Sequence, residues 1–398
     1  MPRFEPFAGL RYASGNDMDA VTAPPYDVID AEERSRLAAR SDHNAVLFDL
    51  PDEADGPGRY DAAAGMVDAL QSKGVLVTDD GPSFYVYRMV YDDERGRERH
   101  TTGVLGALTL SRPGEEGILP HEHTTKKAKS DRLDLLRSTR HNLSPIWGLS
   151  LASGLSELCR TDGAPDAEAT DEDGVRHQLW RITDPSRLQA ITELVSDQPV
   201  VIADGHHRYE TSLAYRDERR EIDGEGGAYD ATLAYVVELS DDELAVRPIH
   251  RLLHGSPRGE DLLDALTAVL FDASPAVADI DLPDRMERAG ALGLVLPGGD
   301  AYLLTPRADA FPEGMPDLDS SRLDAAVATL PNIELEYQHG TDNVLRRVGA
   351  GEATAGVLLR PATVTQIEAT AHTGERMPPK TTFFWPKPRT GFLFRALG

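Results

Sequence analysis

The chain has 398 residues, 40% hydrophobic and 27% charged, with a formal net charge of -26. The length exceeds one ordinary core, so two or three domains are expected, and no apolar run approaches the ~20 residues of a membrane-spanning helix. The acidic balance opposes nucleic acid and anionic lipid, the single Cys159 excludes an intrachain disulfide, and the opening MPRFEPFAGLRY carries no apolar secretory core, which together lead to the expectation of a cytoplasmic protein.

In chain order, apolar periodicity predicts helices over 30–40 and 59–74, then an aromatic hairpin from 83–91 and 101–110. A helix over 129–142, a strand over 143–151 and a helix over 186–197 follow. The strand 199–204 runs straight into a helix at 208–220, and 231–240 reads as another strand. Beyond these come a helix at 259–270, strands at 292–297 and 301–306, and helices at 340–351 and 362–374. Alternating helices and strands give an α/β class, or a mixed α+β one. The acidic, turn-rich stretches 51–59, 161–174 and 220–230 read as exposed loops, as does the proline-bearing 305–319, and 254–261 reads as an inter-domain joint. Three segments are expected, 1–115, 116–255 and 256–398.

Only six residues are lysine, against 35 arginines. An acidic surface poor in lysine fits a halophilic, high-salt cytoplasm in which screening removes most self-repulsion. Lysine then becomes informative where it does occur. Lys126, Lys127 and Lys129 cluster, and Lys380 and Lys387 lie close together near the C-terminus.

The stretch VIADGHHRYET (201–211) places Asp204 and Gly205 at a strand-to-helix turn. The first N–H groups of a helix lack internal partners and sit at the positive end of its dipole, a natural seat for phosphate. His206, His207 and Arg208 add donors there, and Arg208 can hold a phosphate through paired N–H groups. Asp204 would repel phosphate unless it caps the helix or holds a cation such as Mg²⁺ beside it. A plain helix cap is the bland alternative. In ILPHEHTTKKAKSDRLDLLRSTRHNLSPIW (118–147), Glu122 lies between His121 and His123, ahead of the lysines. Such an acid stays ionised and suits a base or a metal ligand, whereas a solvated basic loop is the alternative. In GERMPPKTTFFWPKPRTGF (374–392), Lys380, Thr381, Trp385, Lys387 and Arg389 suit stacking on a nucleotide and contact with its phosphates. A packed, proline-rich terminal strand explains the same stretch equally well. In VTAPPYDVID (21–30), Pro24 and Pro25 stiffen a turn presenting Tyr26 and Asp27, either as a substrate-binding loop or as the approach to the next helix.

Taken together, PFAGLRY, APPYDVI, HEHTTKKAKSDRLDLLRSTRHNLSPIW, ADGHHRYETSLAY, RPIHRLL and MPPKTTFFWPKPRTG resemble, nearly end to end, the family catalogued as domain of unknown function 1015. The order LPHE, then SPI, then DGHHRYE is also similar to the ParB/sulfiredoxin-type fold, which includes kinases of free L-serine. That second resemblance implies a ParB/sulfiredoxin-like core over 116–255, with α/β segments added on both sides. It further implies Glu122 as catalytic base, Asp204 and His207 as catalytic with Asp204 on Mg²⁺, and Gly205, His206, His207 and Arg208 around the phosphates of ATP or ADP. Lys129, Lys380 and Thr381 are expected as further nucleotide contacts, and Tyr26, Asp27 and His123 as substrate contacts. More than fifty residues separate SPI from DGHHR here, a departure from those smaller enzymes. The expected partners are a nucleotide and a small hydroxyl substrate, with no nucleic acid and no membrane. Two rivals stand beside the kinase: a metal-dependent hydrolase using His121, His123, His206, His207 and Asp204, and a non-catalytic nucleotide-binding regulatory module.

Overall fold

A computed structural model describes residues 1–93, 96–112, 115, 117–120, 129–330, 332–373, 377–378 and 380–398, without the side chains of 120, 129, 130, 372 and 373. The architecture is mixed α/β, in two compact units: residues 1–245 joined by 386–398, and residues 246–385. This partition differs from the three segments expected. Residues on both sides of the expected boundary at 115 share one sheet, and the chain leaves the first unit at 245 only to return for its last thirteen residues.

The first unit is built on nine strands: β1 (Phe4–Glu5), β2 (Phe84–Asp92), β3 (Glu98–Thr109), β4 (Ile118–Pro120), β5 (Ile146–Ser150), β6 (Ala167–Thr170), β7 (Arg176–Ile182), β8 (Val200–Asp204) and β9 (Ala231–Glu238). They run in the order β4-β8-β5-β9-β3-β2-β7-β6, with β1 also on β3. The β4/β8 and β5/β9 pairs are parallel, and the other pairs are antiparallel. The expected hairpin of β2 and β3 is present, with Tyr85 opposite Leu105. Residues 167–170, expected within a loop, pair instead with β7, and the chain turns between them at Asp171–Gly174. Strand β9 lies between two neighbours and is buried from Thr232 to Val237, which explains its nearly continuous apolar run. The rings of Phe4 and Phe84 stack at 5.1 Å. They occupy the space above Gly106, where a Cβ would come within 2.4 Å of the Phe4 ring.

The helices of this unit are α1 (Ala31–Ala38), α2 (Arg59–Ser72), α3 (Lys129–Thr139), α4 (Pro185–Ser196) and α5 (His206–Asp223), with shorter helical turns between. Asp30 and Asp184 cap α1 and α4 by accepting from the N–H of Glu33 and Arg187. On α5, Tyr209, Ser212, Tyr215 and Arg216 fall on one face and are buried, and the Tyr209 hydroxyl is fixed by the backbone of Ser111. The C-terminal segment is tied to the N-terminal one. Thr390 bridges Ala23, Phe394 bridges Leu10, and Arg395–Ala396 pairs with His141–Asn142.

The second unit is an antiparallel sheet of β10 (His250–Gly255), β11 (Phe271–Val277), β12 (Leu292–Val295), β13 (Asp300–Pro306), β14 (Ile333–Gln338) and β15 (Ala355–Leu358), ordered β11-β13-β12-β15-β10-β14. Its helices are α6 (Gly259–Thr267), α7 (Leu282–Ala289), α8 (Asp319–Val327), α9 (Thr341–Gly349) and α10 (Val364–Thr373). The stretch 254–261, expected as a joint, lies inside this unit at the passage from β10 to α6. No helix among the described residues is long and apolar enough to cross a membrane.

Candidate functional site

Val200, Val201 and Ile202 are buried in β8, and the chain turns sharply at Gly205 to start α5. Gly205 has φ +84, a left-handed conformation that side chains resist, and a Cβ there would stand 3.1 Å from the guanidinium of Arg208. Gly205 therefore serves twice, turning the chain and leaving room for Arg208 to fold back. No side chain caps this helix start, and the positive end of its dipole lies at the turn.

Arg208 donates to the carbonyl of Pro145 and, at 2.7 Å, to Asp204 Oδ2. The other oxygen of Asp204 accepts from Lys387 Nζ, which arrives on the C-terminal segment of the same unit. Burial alone would raise the Asp204 carboxyl, but the charges of Lys387 and Arg208 outweigh it and hold the group at about 2. The seat thus contains two cations around one carboxylate at the positive end of a helix, an arrangement suited to an anion.

Beside Arg208 opens a small cavity of about 50 Å³, lined in part by Tyr26, Asp49, Arg132, His141 and Thr211. The Arg132 guanidinium lies over the Tyr26 ring at 4.3 Å and donates to the Asp49 carbonyl at 2.6 Å. Burial raises the Asp49 carboxyl, with Arg132 and Arg208 acting against the shift. Asp27 is near enough for its charge to act on both Arg208 and Asp49. His141 Nδ1 is 2.6 Å from the Thr139 carbonyl, which makes Nδ1 the donor and Nε2 an acceptor. That Nε2 and the Thr211 hydroxyl are buried without a hydrogen-bond partner among the described residues, as at a site made for a polar guest.

Of the residues expected from the sequence, Asp204, Gly205, His206, His207 and Arg208 form one turn, and Tyr26 and Asp27 come to the same neighbourhood. Glu122 and His123 lie outside the described residues, as does the side chain of Lys129. Lys380 and Thr381 belong to the second unit. There Lys380 takes a left-handed φ of 58, its carbonyl accepts from the buried Arg251 at 3.0 Å, and Thr381 donates to the Pro378 carbonyl at 2.7 Å. Among the described residues no group of three or more His, Cys, Asp or Glu is placed to hold a metal. Both oxygens of Asp204 already face cations, so this carboxylate does not fit a resident Mg²⁺. Sequence reasoning missed two members of the site, Asp49 and Arg132, neither of which carries a local signal that ties it to this turn. Lys387 was read as suited to phosphate contact but was not tied to Asp204.

The family profile described as "Protein of unknown function (DUF1015)" matches residues 4–327. No curated protein matches the chain. Solved structures similar to it include a conserved hypothetical protein from Pyrococcus furiosus, at 13% identity and TM-score 0.37, covering 70% of this chain and 90% of that one. A free serine kinase in complex with AMP matches at 14% identity and TM-score 0.38, covering 73% and 94%. SbnI with a C-terminal truncation, from Staphylococcus aureus, matches at 12% identity and TM-score 0.39, covering 72% and 85%.

Proposed function

The chain belongs to the DUF1015 family, and from the chemistry of its site we propose that it is a nucleotide-dependent phosphotransferase acting on a small hydroxyl compound, with free L-serine the favoured acceptor and ATP or ADP the donor. The observation that carries this reading is the uncapped start of α5, with Arg208 and Lys387 gathered at it beside a cavity. Phosphoryl transfer asks chiefly for held phosphates, compensated charge and an oriented hydroxyl. Arg208 and the first N–H groups of α5 answer the first two demands. Glu122 answers the third: its carboxylate takes the acceptor's hydroxyl proton as the oxygen attacks phosphorus and the bond to the leaving phosphate breaks. The motif order LPHE, SPI, DGHHRYE supports placing this site on a ParB/sulfiredoxin-like core, with Tyr26, Asp27 and His123 toward the acceptor and Lys129 toward the nucleotide.

The test is consumption of nucleotide by the purified protein, in high salt with Mg²⁺, against a panel of amino acids and small alcohols. L-serine-dependent turnover is expected, and Glu122→Ala should lower it by about 10²–10⁴-fold while leaving nucleotide affinity nearly intact. Nucleotide binding without product from any hydroxyl compound, and without any effect of Glu122→Ala, overturns the enzyme reading in favour of a binding module.

A further inference from the structure

We propose that Lys387 is the cation Asp204 holds at the phosphate seat, and that its ammonium contacts the phosphates of the bound nucleotide directly. The proposal rests on the phosphate-seat reading above and assigns one of its contacts to the C-terminal segment.

Asp204 uses its two oxygens separately, Oδ2 for Arg208 and Oδ1 for Lys387. The carboxylate therefore acts as a spacer that sets two cations side by side at the start of α5. Asp204 compensates one of the two cations and Asp27 acts on Arg208 as well, so what the pair offers a bound anion is charged N–H donors at the positive end of the helix dipole. An ammonium has three N–H donors, enough to hold Asp204 and a phosphate oxygen together. Asp204 was expected to hold a divalent cation. Here a protein cation stands in that place, supplied permanently by the chain.

The position of Lys387 is set by its neighbours rather than by its own flexible stem. Two residues on, the Arg389 N–H donates to the Tyr87 hydroxyl at 3.1 Å, and its guanidinium donates to the Thr22 hydroxyl and carbonyl at 3.0 and 3.1 Å. Thr390 then bridges Ala23. Lys387 itself is largely buried, its side chain 16% exposed. In a chain that uses arginine 35 times and lysine six times, a lysine fixed in this way suits the role of a point charge on phosphate better than that of a surface solubiliser.

The experiment measures binding of ADP, inorganic pyrophosphate and adenosine by titration calorimetry to the wild-type full chain, Lys387→Met, Lys387→Arg and Asp204→Asn, each with Mg²⁺ and with EDTA. Lys387→Met should weaken ADP and pyrophosphate by roughly tenfold or more and leave adenosine within about twofold, as expected for loss of a charge-assisted phosphate contact. Lys387→Arg should recover part of the loss. Asp204→Asn should reproduce the split between ADP and adenosine by releasing the lysine. The loss should be the same in EDTA. A lysine that only supports the fold would lower all three ligands together, and that result overturns the proposal, as does unchanged ADP binding in Lys387→Met or a loss that vanishes in EDTA. If the wild type binds pyrophosphate but no nucleotide, the kinase reading falls while Lys387 is still judged on pyrophosphate. If it binds neither, both fall.

Discussion

Arg208 in the first unit and Arg251 in the second are both largely buried, and both donate to backbone carbonyls, yet their surroundings differ. Arg251 is 1% exposed, donates to the carbonyls of Ile249 and Lys380, and covers the Tyr337 ring at 4.4 Å. Its donors hold the left-handed turn at Lys380 in place. Arg208 shares a carboxylate with a lysine at an uncapped helix start and borders a cavity. The second unit has a carboxylate centre of its own, at the start of α8 beside a pocket lined in part by Ser320, Arg360 and Thr381. Asp319 accepts from the Arg360 backbone N–H at 2.9 Å and from its guanidinium at 3.0 and 2.6 Å, while Ser320 and Thr381 bond each other at 2.9 Å. A buried arginine therefore does not by itself mark a site. What distinguishes Arg208 is that it shares its carboxylate with a lysine and borders a pocket in which the His141 Nε2 and Thr211 hydroxyl are buried without a hydrogen-bond partner among the described residues.

The largest effect expected from this contrast is on stability. Arg251→Ala removes a fully buried, packed side chain together with its hydrogen bonds to the Ile249 and Lys380 carbonyls, and should cost roughly 3–5 kcal/mol, read as a fall in the melting temperature by calorimetry. Next comes pH. Asp204 sits at about 2 when folded, below its ordinary 3.8, so its contribution is present above that ordinary value and lost as pH falls through about 4 to 2. The shift corresponds to roughly 2–3 kcal/mol. Acid unfolding curves should show this loss in the wild type and lack it in Asp204→Asn. Arg208→Ala should act mainly on binding, weakening ADP by about 10–100-fold through loss of charge-assisted bonds worth about 1.5–3 kcal/mol, with a smaller shift in melting than Arg251→Ala gives. Equal melting losses in the two arginine variants, with ADP affinity unchanged in Arg208→Ala, would erase the distinction. The smallest effect belongs to Gly205→Ala, at about 1–2 kcal/mol of backbone strain. Because its Cβ would press on the Arg208 guanidinium, it should also weaken ADP binding, whereas a purely conformational role would change stability alone.

Local patterns read well where an element is long and its burial regular. The strand at 200–204, the helix at 206–223 and the aromatic hairpin were visible because alternation and helical spacing survive in them. Elements with weak or broken patterns were missed. β6 (Ala167–Thr170) carries an acidic residue and only one fully buried position, and β11 (Phe271–Val277) contains a proline and is buried at Phe271 alone. Both lie at sheet edges, where packing asks little of the sequence. Helix α8 at Asp319–Val327 was hidden by the prolines just before it.

The site divides in the same way. The amino-acid sequence alone determined the Asp-Gly turn, the helix that starts there and the donors on its first turn, because a strand, a glycine and a helix within ten residues need nothing distant to be assembled. Only the tertiary structure decided that Lys387, 183 residues away, takes one oxygen of Asp204, and that Tyr26, Asp49 and Arg132 line the cavity next to Arg208. It also decided that the chain closes its first unit with its last thirteen residues. These partners meet through sheet pairing and buried side chains far apart along the chain, and such meetings leave no periodicity for a local reading to detect.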